Sequence, residues 1–378
     1  FNLLNMSIDF NNTKVAFHLK SDSDLERAYF LFKMISIEPL VRIGTAATNF
    51  ALKAHLPVES LIRSTVFDHF CGGVSEFDCI PKINEMHKSH VYSVLDYSVE
   101  GLENEISFDE TVSRTINLIK LNTNNNFPFI VFKPTGIGRF DLYDKISSNT
   151  NLSDKENIEW SKVKFRYDAI CNAALANNVS VLIDAEESWI QSSIDEIYEN
   201  LILKYNSKKA IVYNTVQSYR IDRLEYIEKL YHSFSTSDLH IGIKLVRGAY
   251  MEKERERSKV FNYLDPIHKT KKDTDESFNN CMTFMFKNVQ LFSVFIGSHN
   301  EESNYLALEL INKSNIIKDK VWFSQLYGMS DHITYNLSNQ GYNVAKYLPF
   351  GPFKGVIPYL FRRAEENTAV EGQTSREL

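Results

Sequence analysis

The chain has no CxxC pair and no histidine cluster at metal-ligand spacing, and its four cysteines, Cys71, Cys79, Cys171 and Cys281, lie far apart. This argues against a disulfide scaffold or a zinc site and points to a reducing compartment. Positive charge is not in excess either. With 42 Lys plus Arg against 48 Asp plus Glu, the formal charge is −6, and neither sign gathers in one half of the chain. Nucleic-acid binding therefore has no electrostatic footing. Long apolar runs are missing: Phe127 to Phe132 and Val179 to Ile183 fall far short of the roughly 20 residues that cross a bilayer. The opening FNLLNMSIDFNNTK shows neither a basic start before an apolar run nor an Arg-rich amphipathic pattern, so neither a secretory nor a transit signal is expected. Gly136 and Gly138 form a GxG after the second apolar run, but no third glycine follows, and no GxSxG appears. A Rossmann loop and a hydrolase elbow are thus absent. The expectation is an intracellular chain of bacterial type.

What is present is an ordinary globular composition of 378 residues, 43% hydrophobic and 24% charged, long enough for an α/β barrel of about 250 residues in one unit. Residues 1–90 read as helical. Ser23 or Asp24 is placed to cap a helix from Leu25 through Met34, with Leu25, Ala28, Leu31, Phe32 and Ile35 on one face. Helical patterns resume at Val41 to Ala54 and Val58 to Phe70, and the glycines after Cys71 break the last one. From Val91 onward, eight short β-branched or aromatic runs alternate with amphipathic stretches, the runs starting at Val91, Phe127, Val179, Lys209, His240, Leu291, Lys320 and Tyr342. Candidate helices between and after them include segments at Asp109, Ser193, Ser277 and Gly355. Eight strands each followed by a helix predict a closed (β/α)8 barrel over 91–378, with an open sheet as the alternative and 1–90 as a helical arm.

A barrel carries its chemistry at the carboxyl ends of its strands. Those ends offer Glu100, Lys133, Asp184 with Glu186 and Glu187, Gln217, Lys244 with Arg247 and Tyr250, His299 with Asn300, Gln325 and Tyr347. Several cations, two ring hydroxyls and few free carboxylates suit an anionic ligand. In KLVRGAY, strand alternation puts Lys244, Val246, Gly248 and Tyr250 on one face, and Gly248 removes a side chain where a flat ring or a backbone comes close. The same glycine reads equally as a barrel corner. The last helix carries Arg362, Arg363, Glu365 and Glu366 within one turn, which fits a solvated face or, given the tight PFGPF turn before it, a helix aimed back at the strand ends.

Four segments, KLVRGAYMEKER, YLPFGPFKGVIPYLFRRAEEN, GSHNEES and FCGG, resemble signatures of the proline dehydrogenase family. LDYSVEG, FKPTG, LIDAEES and SQLYGM extend the resemblance from about Phe17 to the C-terminus. It implies a distorted TIM-type (β/α)8 barrel that binds FAD without a Rossmann unit, oxidises L-proline to 1-pyrroline-5-carboxylate and passes electrons to a membrane quinone. The chain resembles the monofunctional branch. Peripheral membrane contact is implied, in the bacterial cytoplasm or, for a eukaryotic chain, the mitochondrial matrix.

By that resemblance Gln217, Lys244, Val246, Arg247, Gly248 and His299 are flavin contacts. Bifunctional relatives carry Arg then Lys where this chain has Lys244 then Arg247, which keeps the charges but exchanges a planar fork for a point charge. One of the two serves the ring and the other the pyrophosphate. The resemblance makes Lys133, Arg362 and Arg363 the clamp on the proline carboxylate. It packs Tyr347 and Leu326 on the pyrrolidine ring with Tyr250 nearby, and has Asp184 orient the network. Tyr347 takes the place of a small residue in the hydroxyproline branch, so L-proline is the expected substrate. Glu100 or Glu103 is the candidate gate against Arg362. Two other readings are a flavin barrel of methylenetetrahydrofolate reductase type, without the paired arginines, and a non-catalytic binding barrel, which would be colourless.

Overall fold

A computed structural model describes residues 8–54, 56–57, 59–98, 103–122, 126–314 and 316–369. Eight parallel strands close in chain order into a barrel: β1 (Val91–Tyr97), β2 (Phe129–Phe132), β3 (Ser180–Ile183), β4 (Val212–Gln217), β5 (Ile241–Val246), β6 (Phe292–Gly297), β7 (Val321–Leu326) and β8 (Val344–Phe350). Each overlaps one of the eight runs, β4 and β8 extending two residues beyond theirs, and the open-sheet alternative is excluded. Every residue of β2, β3 and β4 is buried. Continuous apolar sequence, not alternation, is what a strand covered on both faces requires.

By their contacts the residues fall into two compact units, one of Phe1–Val99, His299–Glu301 and Gln325–Leu378, the other of Glu100–Ser298 and Glu302–Ser324. In the second, the Phe129 ring meets those of Tyr213, Phe295 and Trp322 at centroid distances of 5.5, 4.9 and 5.0 Å. Gly242 makes room for this layer, because a Cβ there would stand 2.6 Å from the Val212 carbonyl and 2.7 Å from the Tyr213 ring.

In the first unit the helix Asp22–Ile35 is capped by Ser21, not by Ser23 or Asp24; Asp24 instead closes the capping box from the third helical position. A polar residue outside the apolar period supplies the cap, which shifts the start upstream. The helix Glu38–Lys53 follows, and the segment up to Phe70 contains a π-helical turn at Arg63–Phe67. Phe32, Ile35, Val41, Phe67 and Phe70 form one apolar cluster with Phe353, Val356, Ile357 and Leu360 of the last helix, and Leu326 packs against it. The FCGG motif is structural. Gly72 donates to the Pro349 carbonyl at 2.7 Å and Gly351 to the Gly73 carbonyl at 3.1 Å, while a Cβ on Gly72 would lie 2.5 Å from Cys79 Sγ. All four cysteines are buried, and burial pushes their thiols well above the usual range. Among the described residues no helix is long and apolar enough to cross a membrane.

Candidate active site

In the second unit three of the expected residues meet at strand ends. Lys133 follows β2, Asp184 follows β3 and Lys244 lies within β5. Lys133 Nζ donates to Asp184 Oδ2 at 2.8 Å and Lys244 Nζ to Oδ1 at 2.5 Å. Their side chains are between 9% and 12% exposed. Burial pushes the Asp184 carboxyl up, but the two ammonium groups and their hydrogen bonds outweigh it and hold the group well below its ordinary value. Two ammonium groups thus meet on one carboxylate where little water screens them.

Beside this triad lies a buried carboxylate whose partner the sequence did not reveal. Glu186 accepts from Thr135 N–H at 3.0 Å and from Thr135 Oγ1 at 2.6 Å. Its pKa is pushed up to about 7 by burial, with Glu187 adding to the rise and Thr135 and Lys133 opposing it. A carboxylic acid raised from an ordinary value near 4.5 to about 7 keeps its proton longer in the folded than in the unfolded chain. Stability on this account falls as pH rises through that interval. Glu186→Gln should therefore gain thermal stability relative to the parent as pH rises from 5 to 8; an equal melting-temperature difference at both ends would contradict the assignment.

Gln217, buried at the end of β4, donates through Nε2 to the Glu186 carbonyl at 2.7 Å and accepts from Ala249 N–H at 3.2 Å. Arg247 is held on three sides: Nε on Asp275 at 2.6 Å, and the two terminal nitrogens on Ser298 at 2.9 Å and Ser303 at 3.0 Å. Its guanidinium also stacks 4.5 Å from the Phe278 ring centroid. The shared strand face expected for Lys244 through Tyr250 is cut short. Strand β5 ends at Val246, and Tyr250 stands at the N-cap of the helix Met251–Phe261. Gly248 adopts φ +148°, and a Cβ there would lie 2.5 Å from the ring of Tyr219. A flat ring does approach Gly248, and it is the chain's own.

The first unit holds the rest. His299 Nδ1 lies 2.9 Å from Ser330 Oγ, and Leu326 N–H points at its Nε2 from 3.5 Å. Tyr347, in β8, is buried and accepts from Tyr327 N–H at 2.9 Å through its carbonyl. Arg363 is only 8% exposed, with its guanidinium 5.2 Å from the Tyr359 ring centroid, and Arg362 is half-buried; the solvated-face reading of this helix fails at Arg363. Sequence reading missed Lys346, 1% exposed, which pairs with Asp331 at 2.8 Å and donates to the Met329 carbonyl. A lysine inside an otherwise apolar strand was the available signal. Glu100 lies outside the described residues; Glu103 is exposed just ahead of the capping residue Asn104.

A family model described as proline dehydrogenase matches residues 79–376. The carbapenem antibiotics biosynthesis protein CarD of Pectobacterium carotovorum is 32% identical over 84% of this chain and 82% of its own length. Mitochondrial proline dehydrogenase 1 of Arabidopsis thaliana is 30% identical over 95% of this chain and 82% of its own, and hydroxyproline dehydrogenase of Xenopus laevis 27% over 94% and 84%. Among solved structures, proline utilization A of Bdellovibrio bacteriovorus superposes with a TM-score of 0.75 at 18% identity over 96% of this chain. The chain spans 38% of that longer protein, and the likeness is one of fold. With the family match covering the barrel and its strand-end residues, this chain belongs to the proline dehydrogenase family.

Proposed function

We propose that the chain oxidises L-proline to 1-pyrroline-5-carboxylate with FAD as its cofactor and passes the electrons to a membrane quinone, as the first step of proline catabolism. The observation that carries this reading is the buried Lys133, Asp184 and Lys244 cluster. Its two buried ammonium groups suit a small carboxylate. In this reading residues 91–378 form the catalytic barrel and 1–90 an arm upon it, and the protein meets the membrane from its surface.

The donor set fits a flavin. Three of the five N–H groups of Arg247 are committed to Asp275, Ser298 and Ser303, so its fork is pre-oriented and, among the described residues, two donors remain. Gln217, Lys244, Val246, Arg247 and His299 would hold the cofactor, and Gly248 would do so through its backbone, since Tyr219 fills the place of its missing side chain. The bound flavin would take the hydride from C5 of proline. Lys133, Arg362 and Arg363 would grip the substrate carboxylate, Asp184 would fix the ammonium of Lys133, and Tyr347, Leu326 and Tyr250 would enclose the pyrrolidine ring. Positioning of this kind is what the protein contributes to a transfer reaction. The test is spectroscopic: the purified protein should be yellow, and L-proline added without oxygen should bleach the flavin band where NADH does not. A band unmoved by proline would remove the proposal.

A further inference from the structure

The ladder between β2 and β3 ends at Phe132 and Ile183, but its register runs on in side chains. The backbone partners Phe129 with Ser180 through Phe132 with Ile183 are followed by Lys133 with Asp184 and Thr135 with Glu186, each pair 51 residues apart like the strand pairs before them. Between these two side-chain rungs lies the peptide joining Pro134 to Thr135, pinned at both ends. Its carbonyl accepts from Tyr143 Oη at 3.0 Å, and its N–H donates to Glu186 Oε2 at 3.0 Å. Lys133 thus sits between the last ladder bond, from Asp184 N–H to the Phe132 carbonyl at 3.0 Å, and a fixed peptide plane. Gln217 holds the Glu186 carbonyl from the side of β4. Glu186, Thr135 and Tyr143 are all buried. Joining two strand ends does not require a carboxylate, since an apolar pair of similar volume does it without the desolvation cost.

We propose that Glu186 is a positioning residue that, through Thr135, sets the direction in which Lys133 is presented to the substrate carboxylate. This rests on the reading of Lys133 as part of the carboxylate clamp. The test uses the holoenzyme and two measurements: steady-state kinetics on L-proline, and calorimetric binding of cyclopentanecarboxylate, a five-membered ring with the carboxylate but no oxidisable amine. Glu186→Ala and Thr135→Val should each weaken the probe and raise KM about tenfold, with kcat changed less than about threefold, as expected when a clamp is misplaced. Thr135→Ser keeps the hydroxyl and should stay near the parent in both. Should Glu186→Ala fail to fold, the contrast between the two Thr135 variants decides alone. A lower melting temperature with unchanged KM and probe affinity in Thr135→Val would reduce the rung to a fold contact and overturn the inference. Lys133→Met separates the two levels: normal carboxylate binding in it overturns the clamp itself, whereas a defect in Lys133→Met beside normal Glu186 and Thr135 variants overturns only the positioning role.

Discussion

Asp184→Asn is expected to lower the unfolding free energy by about 3–5 kcal/mol, the cost of removing one partner from a buried ion pair, and to abolish most turnover with it. Two ammonium groups donate to this carboxylate, one from just after β2 and one from β5, and both side chains are about nine-tenths buried. Asparagine keeps the volume but replaces an acceptor of two charged donors with a neutral amide. The pH dependence gives a second handle. Because the folded pKa is depressed, the contribution of Asp184 is present above its unfolded value of about 3.9 and is lost as pH falls below that. Denaturant titrations at pH 7 should therefore show the full gap between parent and variant, narrowing in acid. A gap under about 1 kcal/mol at neutral pH would fall within the range of exposed pairs and show that the cluster is not acting as a buried triad.

Arg363→Met should cut kcat/KM for L-proline by tenfold or more, because a charge-assisted bond to a buried carboxylate contributes roughly 1.5 to 3 kcal/mol. Arg363 is buried against the Tyr359 ring, so some loss of stability accompanies the substitution, on the order of the 0.5 to 2 kcal/mol of a cation–π contact. Methionine preserves much of the aliphatic packing. Kinetics and thermal melts on the same preparation decide the matter: normal proline efficiency with a lowered melting temperature would assign Arg363 to the fold.

The strands were legible because each is a short run of β-branched and aromatic residues, and burial on both faces leaves that imprint in the sequence. Helix starts were less so. The helix written in apolar residues from Asp109 begins at Glu105 under an Asn104 cap, and that at Ser277 begins at Lys271 under Thr270. First turns satisfy their N–H groups with polar caps and need no apolar face. At the site, residue identity was readable and partnership was not. Lys133 and Asp184 stood out as strand-end charges, yet that they pair follows from a register set across two strands. The same holds for Thr135 with Glu186. The misread face of KLVRGAY has a local cause: alternation was carried past Val246 into a turn where Gly248 takes a conformation closed to other residues.

The sulfur of this chain has a use that its chemistry in the cell does not suggest. A thiol reacts with alkylating reagents as thiolate and only when reached, and all four are shut away and held protonated. Cys71 and Cys79 belong to one compact unit, Cys171 and Cys281 to the other. Slow labelling in native buffer therefore times the transient opening of each unit separately, and the natural sequence already carries the four clocks, two for each.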